Sequence, residues 1–323
     1  MSRSLLGVPC LVLGGGGFIG RAVIRALEEE GAVVRGFGRP GLFGAPSTAQ
    51  PWMTGDFQDR LALARAVEGC EIVFHLLGGS TPESSNAAMT SDLQASVSAT
   101  VDLLEICLAE GVRKIIFASS GGTVYGIPKT VPITEQSPTD PISAYGVNKL
   151  CAEKYLQLYH FLHGMEHVTL RVSNPFGPYQ NPWRRQGLIA TTLMKMISGE
   201  PIEIWGDGSV TRDYVYIADV AKAFVKAACY NGPQQIFNVG SGVGLTVNEV
   251  VERTARALKI TKPIIFYKSA RPVDVPVNIL DIALASQELQ WQPCTDWAAA
   301  IGATIAWMRG EPVIEKLLGK GRT

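Results

Sequence analysis

Tyr145 and Lys149 stand four residues apart in the stretch Ala144-Tyr145-Gly146-Val147-Asn148-Lys149. The pattern predicts a helix over 143–162, and residues at i and i+4 share a helix face. The ammonium is therefore expected one turn above the phenol. A free phenol, with a pKa of roughly 10, is a poor base at neutral pH. A cation held within about 4–6 Å favours the phenolate and lowers that value. A phenol poised in this way can give or take the proton of a substrate hydroxyl. The same pair could also belong to a plain solvated helix face, so its context has to decide.

That context is the start of the chain. The apolar run Pro9-Cys10-Leu11-Val12-Leu13 suits a buried parallel strand. It leads directly into Gly14-Gly15-Gly16-Gly17-Phe18-Ile19-Gly20 and then into a helix-like stretch. Strand, glycine turn and helix in this order are what a dinucleotide-binding loop requires. Gly14 permits the tight turn, Gly17 lets backbone N–H groups approach a pyrophosphate, and Gly20 lets the helix pack closely on the strand. The helix N-terminus attracts the anion.

The elements that position these groups follow an alternating rhythm. Strands are expected at 10–13, 33–37, 72–77, 114–118 and 168–172, and helices at 18–30, 61–68, 91–110 and 143–162. Such alternation predicts an α/β fold built on a doubly wound parallel sheet. Ligands of such sheets bind beyond the carboxyl ends of the strands. After Asn174-Pro175-Phe176-Gly177-Pro178 the rhythm breaks into loops, short strands and shorter helices. We expect a Rossmann domain over 1–173 with about 215–240. A smaller C-terminal α/β substrate-binding region would comprise 174–214 and 241–323.

Composition narrows the class. The 323 residues are 46% hydrophobic and 18% charged, with zero formal net charge, as in an ordinary globular enzyme. No basic block marks a nucleic-acid surface. No apolar run approaches the ~20 residues that span a bilayer, and nothing resembles a signal peptide. Cys10, Cys70, Cys107, Cys151, Cys229 and Cys294 are scattered without a C-x-x-C, and read as buried thiols in a reducing cytoplasm. His75, His160, His163 and His167 form no ligand set with nearby cysteines or carboxylates, so no metal is expected. His75, closing an apolar run, reads as structural.

Taken in order, several motifs resemble the extended short-chain dehydrogenase/reductase family, within it the NAD-dependent epimerase/dehydratase group. They are the loop at 14–20, Gly55-Asp56-Phe57, Phe74-His75-Leu76, Ser119-Ser120-Gly121-Gly122-Thr123-Val124-Tyr125-Gly126, Tyr145 with Lys149, Arg171-Val172-Ser173-Asn174-Pro175-Phe176-Gly177-Pro178, Thr211-Arg212-Asp213-Tyr214-Val215-Tyr216 and Arg271-Pro272-Val273-Asp274-Val275-Pro276. The likeness runs from about residue 10 to 291. It implies a nucleotide-sugar enzyme with tightly bound NAD or NADP, the sugar being a UDP-hexose or UDP-N-acetylhexosamine, and a homodimer. In its terms Tyr145 takes a sugar hydroxyl proton while hydride leaves the carbon, and Lys149 holds the phenolate and the nicotinamide ribose. Cofactor contacts fall to Gly14, Gly17, Phe18, Ile19, Gly20, Arg39, Asp56, Phe57 and Leu76. Asn174, Arg212, Arg271 and Asp274 match positions that hold the nucleoside diphosphate, and the arginine fork suits phosphate oxygens. The alternative for Arg212 is an ion pair with Asp213. Asn278, four residues after Asp274, matches a position lining the sugar pocket, with a surface turn as the alternative.

Three departures qualify the likeness. Gly121 stands where the family usually has the Ser or Thr that bonds the reacting hydroxyl, leaving Thr123 or Ser120 to supply it. The second strand ends in Gly38-Arg39 rather than an Asp, and Arg39 suits the 2′-phosphate of NADP. Leu13 and Gly16 replace the usual Thr and Ala. Epimerase is the expected activity, with a nucleotide-sugar reductase or dehydrogenase as the alternative. Dehydratases of the group carry an Asp-Glu pair where this chain has Gly122-Thr123. A non-catalytic binding protein would have no use for an intact Tyr145 and Lys149.

Overall fold

The computed structural model describes residues 4–319 apart from 47, 49, 79, 185 and 271–274, with the backbone alone at 317–319. A parallel sheet of order β2-β1-β3-β4-β5-β9 forms its centre. Its strands are β1 (Pro9–Leu13), β2 (Val33–Phe37), β3 (Ile72–His75), β4 (Lys114–Ser120), β5 (Glu166–Val172) and β9 (Ile236–Val239). They are nearly continuous apolar runs because both faces are covered.

On one face lie α1 (Phe18–Glu29) and α8 (Ile217–Cys229), packed through Val23, Ile24, Leu27, Val220 and Phe224. On the other lie α2 (Arg60–Val67), α5 (Ala99–Ala109) and α6 (Ala144–His163), packed through Leu63, Leu103, Leu104, Ala152 and Leu156. The chain passes from β1 out to β2 and then crosses to β3 on the far side. That reversal is the topological switch point, at the carboxyl ends of β1 and β3, where doubly wound sheets receive ligands.

The segment 91–110, expected as one helix, is continuously helical to Ala109 but contains a π-helical turn. It is preceded by α3 (Pro82–Ala87), and then α4 (Met89–Leu93) leads through a π-helical turn at Gln94–Ser98 into α5. Hydroxyls compete for the backbone here: Ser96 Oγ donates to the Asp92 carbonyl and Thr100 Oγ1 to the Ser96 carbonyl. Such bonding back onto the preceding turn disturbs regular helix geometry.

Beyond Asn174 a second sheet runs β10-β8-β12, with β6 also on β8, and β7 pairs separately with β11. Their spans are β6 (Asn174–Phe176), β7 (Ile202–Trp205), β8 (Thr211–Tyr216), β10 (Gly244–Thr246), β11 (Ile265–Lys268) and β12 (Val277–Asn278). Around them lie α7 (Leu188–Ser198), α9 (Val247–Leu258), α10 (Ala283–Glu288), α11 (Trp297–Gly310) and α12 (Pro312–Gly319). The helices of this half are not generally shorter than those of the first, contrary to the expectation. A separate apolar core joins Phe176, Leu193, Tyr214, Val250 and Ile301.

Candidate active site

The glycine loop is built as its spacing predicts. Gly14 has φ +80°, a left-handed conformation that an L side chain resists. A Cβ at Gly20 would collide with the Gly14 carbonyl oxygen, so only glycine lets α1 come this close to β1. Gly17 begins α1, which has no side-chain cap and no acidic residue in its first turn. Unopposed backbone N–H groups and the positive end of the helix dipole therefore face the switch point, the arrangement that accepts a phosphate. The residues fit a dinucleotide pyrophosphate.

The other cofactor candidates gather round this loop to different degrees. Phe18 and Ile19 anchor the start of α1 in the core, and Leu76 packs beside them. A Cβ at Gly16 would stand 3.1 Å from the Arg39 carbonyl, so the exposed Arg39 is carried directly against the loop. Asp56 is exposed and accepts from the Gln58 amide at 3.0 Å, while the Phe57 ring lies 5.0 Å from that of His75. His75 Nε2 lies 2.9 Å from Thr100 Oγ1, and burial pushes its pKa down to about 3, so this histidine is a neutral core residue.

Tyr145 and Lys149 stand on the first turns of α6, whose N-terminus is capped by Ser143 accepting from the Gly146 amide at 3.2 Å. Lys149 Nζ lies between the ends of β3 and β4. It donates to the Ala118 carbonyl at 2.9 Å and the Leu77 carbonyl at 3.4 Å, and sits 4.8 Å from the centre of the Phe117 ring. Burial lowers its pKa to about 8.

The expectation that Lys149 depresses the Tyr145 phenol does not hold in this structure. The ammonium is 5.8 Å from the Tyr145 ring centre, yet the phenol is pushed up to about 12, by burial first and by Asp92 second. Removal from water penalises the phenolate more than the cation, occupied with backbone carbonyls, helps it. The protein alone therefore presents a protonated phenol.

No motif pointed to the contacts that fix α6 on the sheet. Ser119 and Arg171 are register partners across β4 and β5. Both reach Glu153, one turn beyond Lys149: Ser119 donates its hydroxyl, and Arg171 Nη2 forms an ion pair at 2.7 Å. Both charged groups are buried. Removing one partner of such a pair costs about 3–5 kcal/mol, so the rotation of α6, and with it the direction of Tyr145, is firmly set.

Thr123 lies in the turn after β4, beside the residue that follows Tyr145: a Cβ at Gly146 would come within 2.7 Å of the Thr123 carbonyl. Its Oγ1 is buried without a hydrogen-bond partner. A buried hydroxyl left unpaired costs about 1–3 kcal/mol. Ser120, half-buried at the end of β4, lies in the same turn.

The substrate candidates converge on β8. Asn174 Nδ2 donates to the Asp213 carbonyl at 3.0 Å, and Asn278 on β12 is the register partner of Arg212. Asp213 is fully buried and accepts from the amides of Ser241, Gly242 and Leu280, so it serves the core. Strand alternation directs the half-buried Arg212 to the opposite face from that carboxylate. Asn278 is not the surface-turn residue of the alternative reading. It is fully buried, donates to the Gly121 carbonyl at 3.1 Å and leaves Oδ1 unpartnered. Arg271 and Asp274 lie outside the described residues. Cys294, expected to be buried with the other thiols, is exposed. Among the described residues no group of His, Cys, Asp and Glu could hold a metal ion. None of their helices is long and apolar enough to cross a membrane.

Comparison with known proteins agrees with this geometry. Residues 10–240 match the model of the NAD dependent epimerase/dehydratase family. The UDP-glucose 4-epimerase of Mycolicibacterium smegmatis is 33% identical over 309 residues, covering 93% of this chain and 98% of that one. The UDP-glucose 4-epimerase of Thermotoga maritima, solved with UDP-glucose, superposes with TM-score 0.87 at 31% identity, covering 94% of this chain and 99% of that one. That of Thermus thermophilus, solved with NAD, gives TM-score 0.86 at 29% identity, covering 94% and 99%. With the glycine loop after β1 and the Tyr145–Lys149 pair on α6, the chain belongs to the NAD-dependent epimerase/dehydratase family.

Proposed function

We propose that this protein is a nucleotide-sugar 4-epimerase acting on a UDP-hexose or UDP-N-acetylhexosamine. The observation that carries the reading is the Tyr145–Lys149 pair on the first turns of α6, with the ammonium held by the Ala118 and Leu77 carbonyls at the carboxyl ends of β3 and β4. Bound NAD would supply the acceptor and later the donor of the hydride. Thr123 would bond the sugar's reacting hydroxyl and hold it toward Tyr145. Tyr145, once ionised, would take that proton as the phenolate while the C4 hydride leaves, and return it to the keto oxygen when the hydride comes back on the opposite face. Lys149, already between the ends of β3 and β4, would hold the nicotinamide ribose and counter the phenolate.

The division of labour follows the two cores. Residues 1–173 with 215–240 would form the cofactor unit, and 174–214 with 241–323 the sugar-nucleotide unit. Arg212, with Arg271 and Asp274, would hold the diphosphate, and Asn174 and Asn278 would flank the sugar. UDP is favoured because the similar epimerases named above act on UDP-glucose. Arg39, exposed against the glycine loop, favours acceptance of NADP as well as NAD. An apolar stripe on α6 (Val147, Leu158, Phe161 and Leu162), exposed in the single chain, supports a homodimer. The unpaired cysteines fit a reducing cytoplasm.

The test is to incubate the purified protein, without added cofactor, with UDP-glucose, UDP-N-acetylglucosamine and UDP-glucuronate. The reading predicts the C4 epimer of at least one. Turnover only with added reduced cofactor would replace epimerisation by reduction.

A further inference from the structure

Asp92 lies where the sequence suggests the head of an ordinary helix, yet its carboxylate turns toward α6. Oδ2 accepts from Asn148 Nδ2 at 2.8 Å and from the Ser85 hydroxyl. A second bond from the same segment reaches the helix start, where Asn86 Oδ1 accepts from the Ala144 amide at 2.8 Å. The two contacts bracket Tyr145, one at the residue before it and one three residues after. The π-helical turn at Gln94–Ser98 follows Asp92 directly, and such turns concentrate at functional sites.

Charged and titratable groups around the pair come from several elements. On α6 itself are Lys149 and Glu153, but Glu153 is engaged by Arg171 and Ser119. On β3 is His75, neutral through burial. On α3 is the exposed Glu83. β4 brings the hydroxyls of Ser119 and Ser120 at this end and Lys114 at its far end, and the turn after it brings Thr123 and the Tyr125 phenol, which accepts from Arg171. Asp92, on α4, is half-buried and held by two neutral donors, Asn148 and Ser85.

We infer that Asp92 is a positioning residue whose charge, fixed against α6 by Asn148 and Ser85, sets the pH range in which Tyr145 works. The inference rests on Tyr145 being the proton carrier. Asp92 raises the phenol beyond what burial does, and it supports the Lys149 cation that burial weakens. Removing the charge therefore lowers both, and the sign is the same for each limb. The phenolate needed for hydroxyl oxidation forms at lower pH, and the ammonium is lost at lower pH, so the whole activity profile moves toward acid.

The experiment is the pH dependence of kcat for 4-epimerisation by the holoenzyme and its Asp92→Asn variant. We expect both limbs displaced downward by about one pH unit, with KM nearly unchanged. Asp92→Glu, which keeps the charge, should return the profile toward the parent. A uniform fall in rate with an unmoved profile would mean a structural role and would overturn the inference. Should Asp92→Asn not fold, Asn148→Ala, which releases the carboxylate from the helix, must move the profile in the same direction, and an unmoved profile there overturns the inference equally. Tyr145→Phe separates the two layers. If it is inactive while Asp92→Asn keeps the parent profile, only the role of Asp92 fails; if it is active, the reading of Tyr145 fails.

Discussion

Asn278 donates its side-chain amide to the carbonyl of Gly121 at 3.1 Å, tying β12 of the second sheet to the turn that follows β4. The packing around this contact leaves little room for a side chain at position 121. A Cβ at 121 would lie 2.6 Å from Leu280 Cδ1 and 3.0 Å from the Arg171 carbonyl. The chain running on from β12 fills the space a serine would need. On the proposed reading Thr123, two residues along, supplies the hydroxyl instead.

Thr123→Ala should therefore lower kcat on the order of 10²-fold, the usual loss of one bond to a reacting oxygen, with the melting temperature nearly unchanged. Ser120→Ala should leave kcat close to the parent. Gly121→Ser should not rescue Thr123→Ala, and overpacking should destabilise it by about 1–3 kcal/mol. Steady-state rates and thermal melts of the four proteins check this. A crippled Ser120→Ala beside an active Thr123→Ala would reverse the assignment.

Asn278 offers a separate test of substrate size. An asparagine amide can serve a polar 2-substituent. Asn278→Tyr should cost stability, because the side chain is fully enclosed. It should also reduce turnover of UDP-N-acetylglucosamine far more than that of UDP-glucose. Equal losses on both sugars, or a parent that never turns over the N-acetyl sugar, would contradict the placement of Asn278 in the sugar pocket.

Cofactor choice turns on Arg39. Binding titrations of the cofactor-stripped protein should give NADP an affinity at least equal to that of NAD, and Arg39→Ala should weaken NADP selectively. A strong NAD preference in the parent would refute the phosphate role of Arg39.

The sheet and the glycine loop were legible because their signals are local. Buried parallel strands are continuous apolar runs, and β2 begins and ends at the residues expected. The second sheet was not legible, since strands as short as Val277–Asn278 carry no period. Within the site, Tyr145 and Lys149 announced themselves by spacing on one helix. The balance of charge around them did not: the Asp92–Asn148 bond joins residues separated by 56 positions. Burial was equally invisible, and it decides the resting phenol and the depth of Asn278. The helix expected over 91–110 is present, but its π-helical turn was not legible, as apolar spacing does not report hydroxyls bonding back to the backbone.

The most direct test of the account is the conversion of UDP-glucose by Tyr145→Phe, followed by NMR of the C4 epimer and set beside Lys149→Met. The phenyl ring keeps its packing, so fold and nucleotide binding should survive while turnover falls by at least ~10²–10⁴-fold. Lys149→Met should be similarly slow and should also lose cofactor. Near-native turnover by Tyr145→Phe would contradict the claim that this phenol carries the proton.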